Sequence, residues 1–177
     1  READIQTVAR QLFGGAVSGD RAAVARRYRP AAERGGNVAA GAKVFARVCA
    51  NCHQLGGTGH HVGPDLTDAM NRSRLALLHD ILDPNSKVEP RYAACTIVTI
   101  DGRSYSGLVT AETGTSVELT LTGGKTVLLA QDRIEQRVVS AKSLMPEGVE
   151  KDVTVEQMAD LLTYLKNARA VSAATAP

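Results

Sequence analysis

Two cysteines and a histidine in one short run constrain this chain more than any other feature. Cys49, Cys52 and His53 form the pattern C-x-x-C-H, which occurs once among the 177 residues. Two thiols one helical turn apart can each form a thioether bond with a porphyrin vinyl group, and the adjoining imidazole can bind the porphyrin iron. The pattern therefore predicts one covalently attached haem c, anchored by Cys49 and Cys52, with His53 as an axial ligand of the iron.

Two other uses of a C-x-x-C pair fit this sequence less well. A redox dithiol of the thioredoxin type follows a strand in a βαβ unit, and no such pattern surrounds Cys49. A tetrahedral zinc site would need two further ligands at matching spacing. The remaining candidates form no such second pair; they are Cys95, His60, His61 and His79. Haem attachment is therefore the favoured interpretation.

The composition agrees with a cofactor-containing domain and excludes some partners. The chain has two Phe, four Tyr and no Trp, and a buried macrocycle would supply the flat apolar surface that aromatic side chains usually provide. The net charge of +2 is close to neutral, so neither nucleic acid nor a membrane surface is expected as a partner. Cys95 lies in an apolar run of β-type residues and is expected to be a buried free thiol.

The cellular location follows from the cofactor. Covalent haem attachment is completed outside the cytoplasm in bacteria, so we expect a periplasmic or otherwise exported protein. No apolar run is long enough for a transmembrane helix, and the N-terminus does not have the features of a signal peptide. We therefore expect that the chain is excised from a longer exported protein.

The N-terminal residues carry helical periodicity but no recognisable chemistry. Apolar spacing predicts a helix over 2–17 and a second helix over 22–29, which Pro30 is expected to interrupt. We expect residues 1–36 to form a helical extension or connector that packs on the domain surface.

Three further helices are predicted around the motif and near the end of the chain. One over 38–49 leads into the motif, and one over 72–82 has a stripe of leucines. The last begins after Thr154, which can cap it, and places Met158 on its buried face. Residues 171–177 are expected to form a flexible tail.

Between the second and third of these helices, the sequence is typical of β-structure. β-Branched and alternating segments predict strands over 96–100, 104–110, 117–122, 126–129 and 134–138. Asp101-Gly102 and Gly123-Gly124 supply hairpin turns. The sequence thus predicts an antiparallel β-meander of four or five strands over 92–138, inserted between helical segments.

The order of these parts resembles that of a class I cytochrome c. The matching features are Gly41 and Phe45 in the helix before the motif, the motif itself, the loop Gly63–Leu66, a methionine loop at Met145 and a C-terminal helix. The resemblance implies a mainly α cytochrome c core over 37–91 and 139–170, which gives an α+β fold overall when the β-meander is included.

The same resemblance implies several contacts. The first and last helices of the core should cross where Gly41 permits close approach to an aromatic residue, for which Tyr164 is the counterpart. Pro64 should lie against the haem on the side of His53.

A long interval between His53 and Met145 distinguishes this chain from small cytochromes. It is similar in this respect to the haem-binding cytochrome c domain of the Pirellula/Verrucomicrobium type. The shared parts are Gly63–Leu66, Asp83-Pro84, Asp101-Gly102 and Met145–Gly148. Such domains usually stand at the C-terminus of large exported proteins that contain dehydrogenase-like propellers or helical repeats.

The second axial ligand of the iron is the least determined part of the site. Met145 lies in a loop held by Pro146 and Gly148, where backbone shape can aim a side chain, and it matches the methionine position of the family. Met158 is better explained as a core residue. Four further side chains could in principle ligate the iron: Met70, His60, His61 and His79. We favour His53 and Met145 as the two iron ligands.

With both axial positions occupied, the iron can change oxidation state but offers no site to oxygen or peroxide. We therefore expect an electron-transfer module, not an enzyme in itself, that passes single electrons from a fused or docked dehydrogenase to a respiratory acceptor. The alternative is a sensor of small ligands with a labile or open sixth position, or, less favoured, a peroxidase-like enzyme.

Two secondary features stay open at the level of sequence. Arg72, Arg74 and Arg91 are candidates to meet the haem propionates, because guanidinium groups pair well with carboxylates. The β-insertion is either a cover over the haem edge or a docking surface for a neighbouring domain.

Overall fold

Helices and strands both contribute substantially to this chain. The computed structural model of the protein describes residues 21–167. Within that range the α-helices are α1 (Arg21–Glu33), α2 (Val38–Val48), α3 (Arg74–Leu82) and α4 (Val155–Lys166). The helix predicted over 2–17 and the tail over 171–177 lie outside the described residues.

The strands fall into two groups. β1 (Gln54–Leu55) and β2 (Thr58–Gly59) form a short hairpin directly after the motif. The others form one antiparallel sheet; they are β3 (Ala93–Thr99), β4 (Ser104–Glu112), β5 (Ser116–Thr120), β6 (Thr126–Ala130) and β7 (Ile134–Ser143). The predicted α+β class is confirmed, and every predicted strand has a counterpart.

The predicted interruption at Pro30 is wrong, because α1 continues through this residue to Glu33. A proline inside a helix costs about 3 kcal/mol, since it removes a hydrogen bond and crowds the preceding turn. Burial offsets this cost: Tyr28 and Ala31, on either side of Pro30, are buried against α3 and α4. Tertiary packing therefore overrides the local preference.

Helices α2 and α4 cross in close contact at Gly41. A Cβ atom at this position would lie 2.1 Å from the carbonyl oxygen of Asp160 and 2.7 Å from the Cβ of Tyr164, so no larger residue fits. One turn further along α2, the rings of Phe45 and Tyr164 lie 5.5 Å apart at 46°. The predicted crossing at Gly41 against Tyr164 is confirmed.

The helices enclose one apolar core. Its largest fully buried members are Phe45, Leu55, Leu78, Leu82, Val153, Met158, Leu161 and Leu162. Thr154 caps α4 as predicted, since its hydroxyl accepts the N–H of Gln157 while the Gln157 side chain accepts the N–H of Thr154. Met158 is fully buried in this core, which confirms the predicted core role.

The sheet differs from a simple meander in the position of its last strand. The spatial order is β6-β5-β4-β3-β7, so β7 pairs with β3 at the far side of the sheet instead of lying next to β6. Only the short 3₁₀ turn Gln131–Arg133 connects β6 to β7. In a flat sheet these strands would lie about 19 Å apart, whereas the four residue steps from Ala130 to Ile134 span at most about 13 Å. The sheet must therefore curl so that its two edges approach each other at this end.

The curled sheet has an apolar interior of its own, formed by Cys95, Ile97, Val117, Leu119 and Leu129. Cys95 is 1% exposed and has no disulfide partner, which confirms the prediction of a buried free thiol. None of the helices in the described part of the chain is long and apolar enough to cross a membrane.

Candidate haem site

The end of α2 gives the motif its local shape. Asn37 caps the start of the helix by accepting the N–H of Ala40. At the other end, the N–H groups of Cys52 and His53 both donate to the carbonyl of Cys49, at 3.0 and 2.9 Å. This extra turn places the two cysteines one helical turn apart, the spacing that thioether attachment to a porphyrin requires.

The two thiols differ from those of a redox dithiol. Cys49 and Cys52 are half-buried and not joined by a disulfide. Burial raises the pKa of Cys49 to about 12, with a smaller contribution from Cys52 nearby, and burial also raises the pKa of Cys52. Redox-active thiols of C-x-x-C motifs have a lowered pKa instead, so this environment does not favour dithiol chemistry.

The imidazole of His53 is oriented by a single hydrogen bond. Its Nδ1 atom lies 2.8 Å from the carbonyl oxygen of Pro64, and because a carbonyl can only accept, Nδ1 carries the proton. This tautomer leaves the lone pair of Nε2 free to bind a metal. Burial lowers the pKa of His53, while the bond to Pro64 acts in the opposite direction. The ring is thus held neutral, the form that ligates iron.

The loop after the β1–β2 hairpin wraps closely around the motif. The N–H groups of Val62 and Gly63 both donate to the carbonyl of Cys52. A Cβ atom at Gly63 would lie 2.7 Å from Cε1 of His53, so the imidazole occupies the space that a side chain would need. Asp65 accepts the N–H of Thr67 and so fixes the turn that follows Pro64.

The β-insertion contacts the motif directly, through the turn between β5 and β6. The N–H of Gly123, in the turn between β5 and β6, donates to the carbonyl of Asn51 at 2.7 Å. The next residue, Gly124, has φ +75°, and a Cβ atom there would lie 2.8 Å from Nδ1 of His60. The turn chemistry of Gly123-Gly124 was visible in the sequence, but its contact with Asn51 and His60 was not.

Met145 lies two residues beyond the end of β7. It is half-buried, and its N–H donates to the hydroxyl of Ser143 at 3.1 Å. Gly148, with φ +96°, turns the chain into the 3₁₀ segment Val149–Lys151. These contacts show how the loop is held, and the assignment of Met145 as sixth ligand stays a prediction.

The competing candidates for the sixth position occupy different surroundings. His60, His61 and His79 are exposed, and the ring of His60 lies against the β5–β6 turn. Met70 is half-buried against the helical core, and its carbonyl accepts a hydrogen bond from Lys166.

The prediction that Arg74 could meet a haem propionate is wrong, because its guanidinium donates to groups within the fold. It donates to the carbonyls of Ala31, Ala32 and Arg34 at the end of α1 and to Thr163 on α4. Burial lowers the pKa of Arg74.

The other two candidate arginines are paired at the surface. Arg72 pairs with Asp80 at 2.7 Å, and Arg91 pairs with Glu89 at 2.9 Å. Both pairs are exposed, and the guanidinium of Arg91 also lies 4.8 Å from the ring centroid of Tyr92.

The donor set fits a haem better than a bare metal ion. Within residues 21–167, no group of three or more His, Cys, Asp or Glu side chains lies close enough to hold a metal. A zinc site built from the protein alone is therefore excluded for this part of the chain. A haem brings its own four nitrogen donors, so the protein needs to supply only axial ligands and the two thiols. The oriented imidazole of His53 beside Cys49 and Cys52 meets that requirement.

Comparison with known proteins agrees with this conclusion. Residues 38–94 match the family model described as cytochrome c. The matched range contains the motif and the Gly63–Leu66 loop and ends before Met145. No curated protein matches the chain. The match covers about a third of the chain and shows its similarity to cytochrome c. Proteins of that family bind a covalently attached haem c with its iron, the cofactor that the motif predicts.

Proposed function

We propose that this chain is a monohaem c-type cytochrome domain that transfers single electrons, with its haem covalently attached to Cys49 and Cys52. The observation that carries the proposal is the 2.8 Å hydrogen bond between Nδ1 of His53 and the carbonyl of Pro64, made within a C-x-x-C-H turn. It places the proton on Nδ1 and leaves Nε2 of His53 free to bind the iron of a haem that the adjacent cysteines would attach through its porphyrin.

Each residue of the site has a separate task. Cys49 and Cys52 prevent dissociation of the cofactor, and His53 is the proximal ligand. Pro64 orients the imidazole through its carbonyl and would lie against a bound haem. Met145 would provide a thioether as the second iron ligand, a soft group that favours ferrous iron more than a second imidazole does. The bound haem supplies an iron that alternates between the ferric and ferrous states.

The finer identity is that of a Pirellula/Verrucomicrobium-type cytochrome c domain. The inserted sheet, the Asp83-Pro84 end of α3 and the Met145–Gly148 segment support it. Domains of this type end long exported proteins, so we infer an exported protein in which a fused or docked dehydrogenase is the electron donor. A respiratory protein is the acceptor.

Covalent attachment is tested with cysteine variants expressed together with a haem c maturation system. Cys49→Ser and Cys52→Ser should each lose at least one thioether bond, and the double variant should retain no haem on a denaturing gel. Cys95→Ser is the matched control, because this third cysteine is buried in the sheet away from the motif. Full haem retention by the double variant would overturn the proposal.

Carbon monoxide separates the electron carrier from a ligand sensor. If His53 and Met145 both bind the iron, carbon monoxide added to the reduced protein should change its absorption spectrum only slowly and incompletely. Rapid, complete binding would contradict the carrier function. In the ferric protein, Met145→Ala should abolish the iron–methionine charge-transfer band, and a band that survives would exclude Met145 as the ligand.

A further inference from the structure

The segment that carries Met145 is joined at both ends by one side chain, that of Asn85. Asn85 follows Asp83-Pro84 at the end of α3, far from Met145 in sequence. Its Oδ1 accepts the N–H of Ser143 at 2.9 Å, and its Nδ2 donates to Oε1 of Glu147 at 2.5 Å. Ser143 and Glu147 stand two residues before and two residues after Met145.

The hydrogen-bond partners of Asn85 determine which side of its amide group is the oxygen and which is the nitrogen. The N–H of Ser143 can only donate, and the carboxylate of Glu147 can only accept. Both hydrogen bonds are partly buried, which protects them from competition by water. The two hydrogen bonds of Asn85, to Ser143 and to Glu147, are called the bracket. Between them, Met145 donates its N–H to the hydroxyl of Ser143. The five-residue segment from Ser143 to Glu147 is therefore closed into a loop by Asn85.

The chain after this loop is fixed independently of Asn85. Arg21 on α1 pairs with Glu150 at 2.6 Å, and the hydroxyl of Tyr28 donates to the carbonyls of Glu150 and Val153. The strand β7 fixes the chain on the other side, through its pairing with β3. The N–H of Leu144 also donates to the carbonyl of Tyr92 at 3.2 Å. The remaining freedom therefore lies between Leu144 and Glu147, where the hydrogen bond of Asn85 to Glu147 acts.

We propose that Asn85 is the positioning residue of the sixth ligand, because it holds the Met145 segment in the shape that keeps the thioether on the iron. This inference rests on the proposed function, since it takes Met145 to be the ligand. A thioether is a weak ligand, so its occupancy depends on how well the protein pre-organises the segment that carries it. Without the bracket, the Met145 thioether should spend more time away from the iron. An external ligand should then bind at the vacated position more often.

The experiment measures the rate at which cyanide replaces the methionine in the ferric holoprotein, followed by loss of the iron–methionine charge-transfer band. Asn85→Ala should bind cyanide at least about tenfold faster than the unchanged protein, because a tenfold ratio corresponds to about one hydrogen bond and this variant loses two. The matched control is Asn167→Ala, which removes an exposed amide bonded to the carbonyl of Thr163 at the end of α4. The control should leave the rate unchanged.

A pair of charge-exchanging variants gives a second measurement that does not depend on Asn85→Ala folding well. In Asn85→Asp, two carboxylates face each other at positions 85 and 147, so cyanide binding should accelerate. In Asn85→Asp combined with Glu147→Gln, the new carboxylate accepts the N–H of Ser143 and an N–H of the new amide. The bracket then reforms with donor and acceptor exchanged, and the rate should return to within about twofold of the original. A merely structural Asn85 would lower the denaturation midpoint without this reversible change in the cyanide rate.

Met145→Leu separates the failure of this inference from the failure of the proposed ligand. If Met145→Leu removes the charge-transfer band but the Asn85 variants bind cyanide at the rate of Asn167→Ala, the inference is overturned and the cytochrome function stands. If Met145→Leu leaves the spectrum unchanged, the ligand assignment and the inference both fail.

Discussion

The N–H of Gly123 donates a 2.7 Å hydrogen bond to the carbonyl of Asn51, and this bond joins the β-insertion to the middle of the haem-attachment motif. Asn51 lies between the two cysteines, so the β5–β6 turn contacts the short peptide that links the two thioether positions. At its other end the same sheet leads through β7 to Met145. The insertion thus contacts the segment that anchors the haem and continues into the segment proposed to ligate it.

Replacement of Gly124 should weaken this contact. Gly124 and Gly102 both have positive φ, +75° and +80°, but a Cβ atom at Gly124 would meet His60, whereas one at Gly102 would meet nothing within 4 Å. Both Gly124→Ala and Gly102→Ala should lose about 1–2 kcal/mol of unfolding free energy from backbone strain. Gly124→Ala should lose more, as measured by chemical denaturation of the holoprotein. Combining it with His60→Ala should remove most of the excess, because only the Cβ of residue 60 then remains near the new methyl group. An excess that persists in full would show that the His60 ring is not its cause.

A side chain at Gly63 should alter the properties of the iron through His53. In Gly63→Ala the new Cβ would lie 2.7 Å from Cε1 of His53, so the ring must tilt and its hydrogen bond to Pro64 must lengthen. A less basic imidazole stabilises ferric iron less, and the reduction potential should rise by an amount on the order of tens of millivolts. Gly114→Ala is the control, because its Cβ would meet nothing within 4 Å. Equal potentials in the two variants would contradict a role for the Gly63–His53 contact.

The pair Arg21–Glu150 should make stability depend on pH in acid. Burial alone would raise the pKa of Glu150, but the hydrogen bond from Arg21 holds it below its ordinary value. A carboxyl with a lowered pKa in the folded state stabilises the fold at neutral pH, and this stabilisation is lost as the pH falls through that pKa. Glu150→Gln should therefore be less stable at pH 7 and show a flatter decline in unfolding free energy on acidification.

The control for this prediction is Glu135→Gln, which changes an exposed carboxylate on β7. It should leave the pH dependence of the unfolding free energy nearly unchanged. Breaking the buried pair from the other side, in Arg21→Ala, should cost about 3 kcal/mol at pH 7, because it leaves the carboxylate of Glu150 buried without its partner. If Glu150→Gln and Glu135→Gln gave the same acid profile, the pair would not be the source of the pH dependence.

Arg74 should be more important for stability than an arginine at the surface. Its guanidinium bonds to carbonyls at the end of α1 and to Thr163, and a lysine cannot reproduce that planar set of donors. Arg74→Lys should therefore lose about 2 kcal/mol of unfolding free energy, since several partly buried carbonyls lose a charged donor. Arg72→Lys, in an exposed pair with Asp80, should lose less than about 0.5 kcal/mol. Thermal or chemical denaturation of the two variants compares them directly.

Much of the local structure could be predicted because its causes lie within a few residues. Asp101-Gly102 and Gly123-Gly124 have the composition of tight turns, and alternation of apolar residues defines the strands between them. The cap at Thr154 also follows from residue type and spacing, whereas the approach of α2 to α4 at Gly41 was implied by the resemblance to class I cytochromes c. Pro30 shows the limit of such rules, because the burial of Tyr28 and Ala31 keeps α1 intact through a residue that usually ends helices.

The sequence by itself determined the covalent chemistry: the spacing of Cys49, Cys52 and His53 specifies an attached haem, because thioether bonds and axial ligation require those atoms on one turn. Only the tertiary structure decided which residues support that turn and the Met145 segment. Four contacts support them, and each joins residues that are separated along the chain. They are the carbonyl of Pro64 at His53, the β5–β6 turn at Asn51, the pairing of β7 with β3, and the bracket of Asn85. Such contacts depend on how whole helices and strands pack against one another. Because the packing energy is shared among many side chains, a local sequence pattern does not predict these contacts.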